Sequence, residues 1–273
     1  MRRVTSRTNP LVQDLVRLGS SARARRGQGL MVLDGTHLIE ALLDSGGKPG
    51  IVVVSESGLD RPGHQALLDR CAGADVVLLA DSVFRAVAVV EHPAGIMAVA
   101  AIPRPLAAPG SDCVLMLDGL QDPGNIGALV RSAAAAGVDR ILLSPGSADA
   151  WSPKALRAGM GGHFRLSVEE HADLLAAVGS FRGRVFATHG SGGISPFETD
   201  LCGPVALLLG AEGRGLSGEL AGTAHATLSI PMASGVESLN VGAAVAVLLF
   251  ERVRQVVCSG APASASRGTS AGQ

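Results

Sequence analysis

The sequence predicts an α/β protein, with a small N-terminal α/β domain and a larger C-terminal one whose helices cover a mostly parallel sheet. Three observations carry this. Apolar runs of strand length alternate with helical patterns along the chain. A Pro- and Ala-rich stretch, PRPLAAPGS at 103–111, interrupts the alternation once. The 273 residues are 47% hydrophobic and 17% charged, which excludes a chain disordered throughout and leaves room for two cores.

The elements follow in order. Residues 1–26 form a basic N-terminal arm. LMVLDG (30–35) reads as a strand feeding the helix THLIEALLDSG (36–46). IVVVS (51–55) and VVLLA (76–80) are strands, DSVFRAVAVV (81–90) a helix and GIMAVAAI (95–102) a fourth strand. The first domain is therefore 1–102, and 103–111 is a linker. In the second domain, 112–258, VLMLDG (114–119), RILLS (140–144), RVFAT (184–188) and VALLLG (205–210) are strands. Helices follow at 125–137, around 152–160 and from about 240 to 257, and IPM at 230–232 is strand-like. The tail, 259–273, is small and polar and predicts disorder.

Net charge is only −1, but the arm carries Arg2, Arg3, Arg7, Arg17, Arg23, Arg25 and Arg26 against Asp14, a local excess of +6. Such an arm suits RNA phosphates, with a solubilising or targeting leader as the alternative. Four widely spaced cysteines show no metal-ligand spacing, so neither a zinc site nor a disulfide framework is expected, and reduced thiols fit a cytoplasmic protein. No signal peptide is recognisable. The apolar run VGAAVAVLLF (241–250) is too short to span a bilayer and predicts a helix buried on most sides.

Three stretches carry chemistry. In GLQDPGNIGALVRSA (119–133), Ile126, Leu129, Val130 and Ala133 make an apolar helical face, and Asn125 suits the N-cap. Arg131 falls about 140° from Ile126, off that face, and leans toward the DPGN turn across Gly127. A guanidinium beside a helix N-terminus suits an anion, and a solvated arginine is an even alternative. LLLGAEGRGLS (207–217) ends a strand in three glycines without the Lys of a phosphate-binding P-loop, so a plain turn with an exposed Glu212 is the simpler reading of it alone. In IPMASGVESLN (230–240), Ser238 and Asn240 stand where the next helix needs caps.

Together and in this order, the stretches resemble the SpoU/TrmH family of RNA 2′-O-ribose methyltransferases, within the SPOUT class. Asp122, Pro123, Asn125, Gly127, Arg131 and Ala133 match its first motif, and Gly210, Glu212 and Gly215 its second. Ile230, Pro231, Met232, Ser238, Leu239, Asn240, Val241 and Glu251 match the third, with Gly235 displaced by one. Gly159, within PKALRAGMGGHFRLSV (153–168), replaces the usual Ser. TSRTNPLVQDLVRL (5–18), GLMVLDGTHLIEAL (29–42) and HPAGIMAV (92–99) resemble the RNA substrate-binding domain that precedes many SpoU domains, with Asp34 for the usual Glu and Ala94 for Gln.

The resemblance implies a SPOUT domain with a C-terminal trefoil knot, a homodimer, S-adenosylmethionine as methyl donor, and ribosomal RNA ahead of transfer RNA as substrate. It implies catalytic roles for Arg131, Asn125, Glu212, Ser238 and Asn240, and cofactor contacts at Leu209, Gly210, Ile230, Met232, Ser238 and Leu239. Arg7, Arg23, Arg25, Arg26 and Arg131 are the expected RNA contacts. A non-catalytic RNA-binding protein is the rival class. A dehydrogenase is disfavoured because no early GxGxxG occurs.

Overall fold

The computed structural model describes residues 1–105 and 112–259. Most of the expected linker and all of the expected tail except Ser259 lie outside the described residues. The chain forms two compact units, Met1–Arg104 with Asp149–Arg165, and Pro105–Ala148 with Leu166–Gln273.

The first unit opens with β1 (Arg2–Val4), α1 (Pro10–Ser20), α2 (Ala22–Gln28), β2 (Leu30–Asp34) and α3 (Thr36–Asp44). It continues with β3 (Pro49–Ser55), α4 (Glu56–Leu59), α5 (His64–Arg70), β4 (Asp75–Leu79), α6 (Asp81–Val87) and β5 (Ile96–Ala101). The basic arm is thus not an arm but folded structure. Asn9 caps α1 by accepting from the Leu11 N–H at 3.0 Å, Pro10 begins it, and Val12, Leu15 and Leu18 bury one face. The sheet order is β1-β4-β3-β5-β2. β1, β4 and β3 run parallel, while β5 is antiparallel to β3 and β2. Val4, Leu15, Val53, Phe84 and Met97 share its core.

The second unit carries β6 (Cys113–Asp118), α7 (Pro123–Ala135) and β7 (Arg140–Leu143). The chain then enters the first unit as α8 (Pro153–Gly159) and a 3-10 turn, Gly162–Phe164. Back in the second unit come β8 (Ser167–Glu169), α9 (Leu174–Ser180), β9 (Arg184–Thr188), β10 (Val205–Gly210), α10 (Gly218–Ala221), β11 (Ala226–Leu228) and α11 (Val241–Cys258). The order is β11-β9-β10-β6-β7-β8, and every pairing is parallel. Strands bonded on both edges and covered by helices must be apolar throughout, as VLML and VALLL are. The chain winds from β6 to β7 and β8 on one side and fills the other with β10, β9 and β11. The order reverses between β6 and β10, the place where open parallel sheets take their ligands.

Three readings change and a fourth is sharpened. Residues 149–165 fall in the first unit, although the pattern of the chain places them in the second domain. IPM at 230–232 is not a strand, since β11 ends at Leu228. The helix around Arg131 starts at Pro123, two residues earlier than expected, and its cap is Asp122 rather than Asn125. Finally, α11 is buried or half-buried on most sides but open along one stripe, where Phe250 is 48% and Val257 70% exposed. Ala243 is exposed on the same stripe, at heptad spacing.

Candidate active site

The carboxyl ends of β6, β7 and β10 are tied together by one carboxylate. Asp118 accepts from the Ser144 hydroxyl at 3.0 Å and from the Ser217 N–H at 3.1 Å, and Ser144 Oγ accepts from the Gly119 N–H at 2.9 Å. The turns after β6 and β10 are thereby held in register at the switch point. Neither Asp118, Ser144 nor Ser217 is among the site residues expected from sequence. A strand-final aspartate was the available signal.

From β6 the chain turns into α7. Asp122 accepts from the Gly124 N–H at 2.7 Å and Pro123 occupies the first helical position. With the cap supplied by Asp122, the Asn125 amide is released for other partners. Its Nδ2 donates to Glu212 Oε1 at 2.7 Å, and its Oδ1 accepts from Asn240 Nδ2 at 3.2 Å. Asn240 in turn caps α11, its Oδ1 accepting from the N–H groups of Gly242 at 2.9 Å and Ala243 at 3.4 Å. One chain of hydrogen bonds, Glu212–Asn125–Asn240–α11, therefore joins the three stretches singled out in the sequence. A small crevice of ≈ 110 Å³ beside it is lined by Leu120, Gln121, Asp122, Asn125, Ala211 and Glu212.

The turn after β10 doubles back sharply. The Gly215 N–H donates to Ala211 O at 2.8 Å, and a Cβ on Gly210 would come within 1.9 Å of the Gly215 carbonyl carbon. Only glycine fits there. Behind it, Thr188 at the end of β9 donates to Leu208 O at 3.1 Å. The next residue but one, Gly190, lies so close to the 230–240 segment that a Cβ would stand 3.1 Å from Glu237 O. Thr188 to Gly190 are also missing from the expected site, although a glycine-rich loop at the carboxyl end of RVFAT is the pattern that would have found them.

The expected residues divide as follows. Asn125, Glu212 and Asn240 are brought into one contact chain. Arg131 is exposed on α7 and forms no hydrogen bond or ion pair among the described residues. Ser238 is exposed in the turn before α11, and Leu239 is 40% exposed. Ile230, Met232 and Gly210 are half-buried, and Leu209 is buried in β10. Among the basic residues, Arg7 donates to Ser82 O at 3.2 Å, and Arg23 and Arg26 are exposed. Arg25 is corrected: it is 3% exposed, its guanidinium lies 2.6 Å from Asp149 and it also donates to Leu18 O, so it cannot reach a phosphate. Arg2, Arg3 and Arg17 are likewise paired, with Asp75, Glu56 and Asp14.

A parallel sheet with its polar groups converging at the switch point, fed from glycine-rich turns, defines a ligand-binding α/β unit. The chain belongs to the SpoU rRNA Methylase family, which its residues 112–250 match, and residues 9–98 match the MRM3-like substrate binding domain. It is 32% identical to the 23S rRNA (guanosine(2553)-2′-O)-methyltransferase RlmP of Bacillus subtilis over 92% of this chain and 98% of that one. It is 33% identical to an uncharacterized tRNA/rRNA methyltransferase of Synechocystis over 95% of this chain and 96% of that one. The crystal structure of an AdoMet-bound rRNA methyltransferase from Sinorhizobium meliloti superposes with a TM-score of 0.81 at 28% identity, covering 93% of this chain and 98% of that one.

Proposed function

We propose that this protein transfers the methyl group of S-adenosylmethionine to a ribose 2′-OH of large-subunit ribosomal RNA. The Glu212–Asn125–Asn240 chain at the β6/β10 switch point is the observation that carries the reading. A ribose hydroxyl must be held in line with the methyl group and must lose its proton as it attacks. Asn125 is locked at both ends of its amide, so its second N–H is aimed without further ordering and can hold a ribose oxygen. Glu212 and Asn240 are positioning residues that fix that amide. Arg131, with its charge carried on a planar fork of N–H donors, is suited to clamp the target phosphate and to favour the ionised hydroxyl rather than to act as a simple base. Ser238 is exposed in the turn before α11, and the reading assigns it the remaining ribose contacts.

The residues fit the cofactor. Leu239, exposed by 40%, with half-buried Ile230 and Met232, offers apolar surface of the kind an adenine ring covers, and the glycine turns leave backbone groups open. Backbone at Leu209, Gly210, Ile230, Met232, Ser238 and Leu239 would hold it. When bound, S-adenosylmethionine supplies an electrophilic methyl group. The C-terminal trefoil knot belongs to the same reading. So does a homodimer, for which the exposed stripe of Ala243, Phe250 and Val257 supplies an apolar face. Arg7, Arg23 and Arg26, all exposed, are the RNA contacts assigned from the basic set, and the reading places the enzyme in the cytoplasm, where its four free cysteines stay reduced.

Transfer of labelled methyl from S-adenosylmethionine to deproteinised 23S rRNA, with transfer RNA in parallel, tests the reading. Arg131→Ala should lower transfer by ~10²–10³ and leave cofactor affinity, read by calorimetry, unchanged. Normal turnover in that variant would remove Arg131 from the mechanism, and label in transfer RNA alone would change the substrate.

A further inference from the structure

Arg214, in the turn after β10, is a cation near the switch point that the mechanism above does not use. It stands at the tip of the turn after β10, is exposed, and has no ion pair or hydrogen bond among the described residues. Its guanidinium nevertheless has a defined place. Gly119, the residue after β6, has φ +71°, and a Cβ there would lie 3.3 Å from Arg214 Nη2. The arginine thus lies across the β6 turn that leads to Asn125, and the glycine beneath it leaves the guanidinium's approach open.

The turn that carries it is held at both ends. The Ala211–Gly215 bridge closes it, Gly210 leaves no room for a side chain, and the Ser217 N–H is fixed on Asp118. Little conformational entropy remains for the backbone to lose on binding. The acids nearby already have partners. Glu212 accepts from Asn125, Asp122 from the Gly124 N–H, and Asp118 from Ser144 and Ser217. None of these carboxylates pairs with Arg214, whose five N–H donors in a planar fork match the oxygens of a phosphodiester.

We infer that Arg214 binds a backbone phosphate of the RNA beside the nucleotide to be methylated. The inference rests on the RNA methyltransferase reading above. The contact is to the β6 turn, next to the ribose-holding Asn125, and not to the 230–239 segment that carries the apolar groups assigned to the cofactor. A phosphate contact here positions the strand without reading its sequence.

The test measures binding of deproteinised 23S rRNA over a series of salt concentrations, for the wild type, Arg214→Ala and Arg214→Lys. Calorimetry with S-adenosylmethionine runs in parallel. Arg214→Ala should bind RNA about tenfold more weakly at low salt. Its plot of log affinity against log salt should be shallower by about 0.7–0.9, one phosphate contact. Arg214→Lys should restore the slope but only part of the affinity, because the fork is lost. Cofactor affinity should not change in either variant. RNA affinity and slope equal to wild type would overturn the assignment, and so would a loss of cofactor affinity with a normal slope. A wild-type protein that neither binds nor methylates RNA would instead sink the methyltransferase reading itself.

Discussion

Arg25 lies on the inner face of α2 with its guanidinium 2.6 Å from Asp149, and both side chains are less than a tenth exposed. Removing one partner of such a pair leaves a buried charge uncompensated. Arg25→Ala should therefore cost about 3–5 kcal/mol of stability, read as a lower urea midpoint, while the salt slope of RNA binding stays at its wild-type value. Replacing both partners by apolar residues of like volume should recover most of the loss. Charge patterning counted Arg25 with the RNA-facing residues because its partner lies 124 residues away and no local pattern shows that distance. Arg131 was legible for the opposite reason. Its exposure follows from helical periodicity alone, since Ile126, Leu129, Val130 and Ala133 are all buried on the face it avoids. What periodicity could not supply was the Asn125–Glu212 bond, which joins two strand ends 87 residues apart.

Helix α11 does two things at its first turn, and a single substitution separates them. Asn240→Asp keeps an acceptor for the Gly242 and Ala243 N–H groups but removes the amide that donates to Asn125. Its melting temperature should match the wild type and its methyl transfer should fall, whereas Asn240→Ala should also lose about 1 kcal/mol of capping energy. Equal activity of the Asp variant would detach Asn240 from the site. In the segment that joins the first unit, His163 is buried against Trp151, with ring centroids 5.3 Å apart. Burial holds its pKa down to about 4. The unfolded imidazole, near 6.5, takes up its proton first as the pH falls. The stability owed to neutral His163 is thus complete above about pH 6.5 and is lost progressively toward pH 4. Urea titrations should show this loss in the wild type and a flatter profile in His163→Phe. Strands such as β9 and β10 were legible to the residue, because a strand buried on both faces has to be a continuous apolar run. β1, β8 and β11 were not, since three residues at a sheet edge carry no period.

At the scale of the whole molecule, the alternation of strand and helix was enough to indicate two α/β units, and the parallel order of the second follows from its crossover connections. The mixed pairing of the first was not readable, because antiparallel β5 has the same apolar pattern as its parallel neighbours. The outer stripe of α11 is the surface on which oligomeric state can be read. If the proposed dimer forms on this stripe, Phe250→Asp should lower the mass seen in sedimentation at equal concentration, and a mass equal to wild type would remove the stripe from that proposal. The first unit is not a contiguous length of chain, for Asp149–Arg165 belongs to it although the linker lies upstream. A protease nick or gene fusion placed at that linker would not release an intact module. It would leave Arg25 and Asp149, and likewise α8 and β2, on different pieces, so the buried ion pair would have to survive as a contact between two chains.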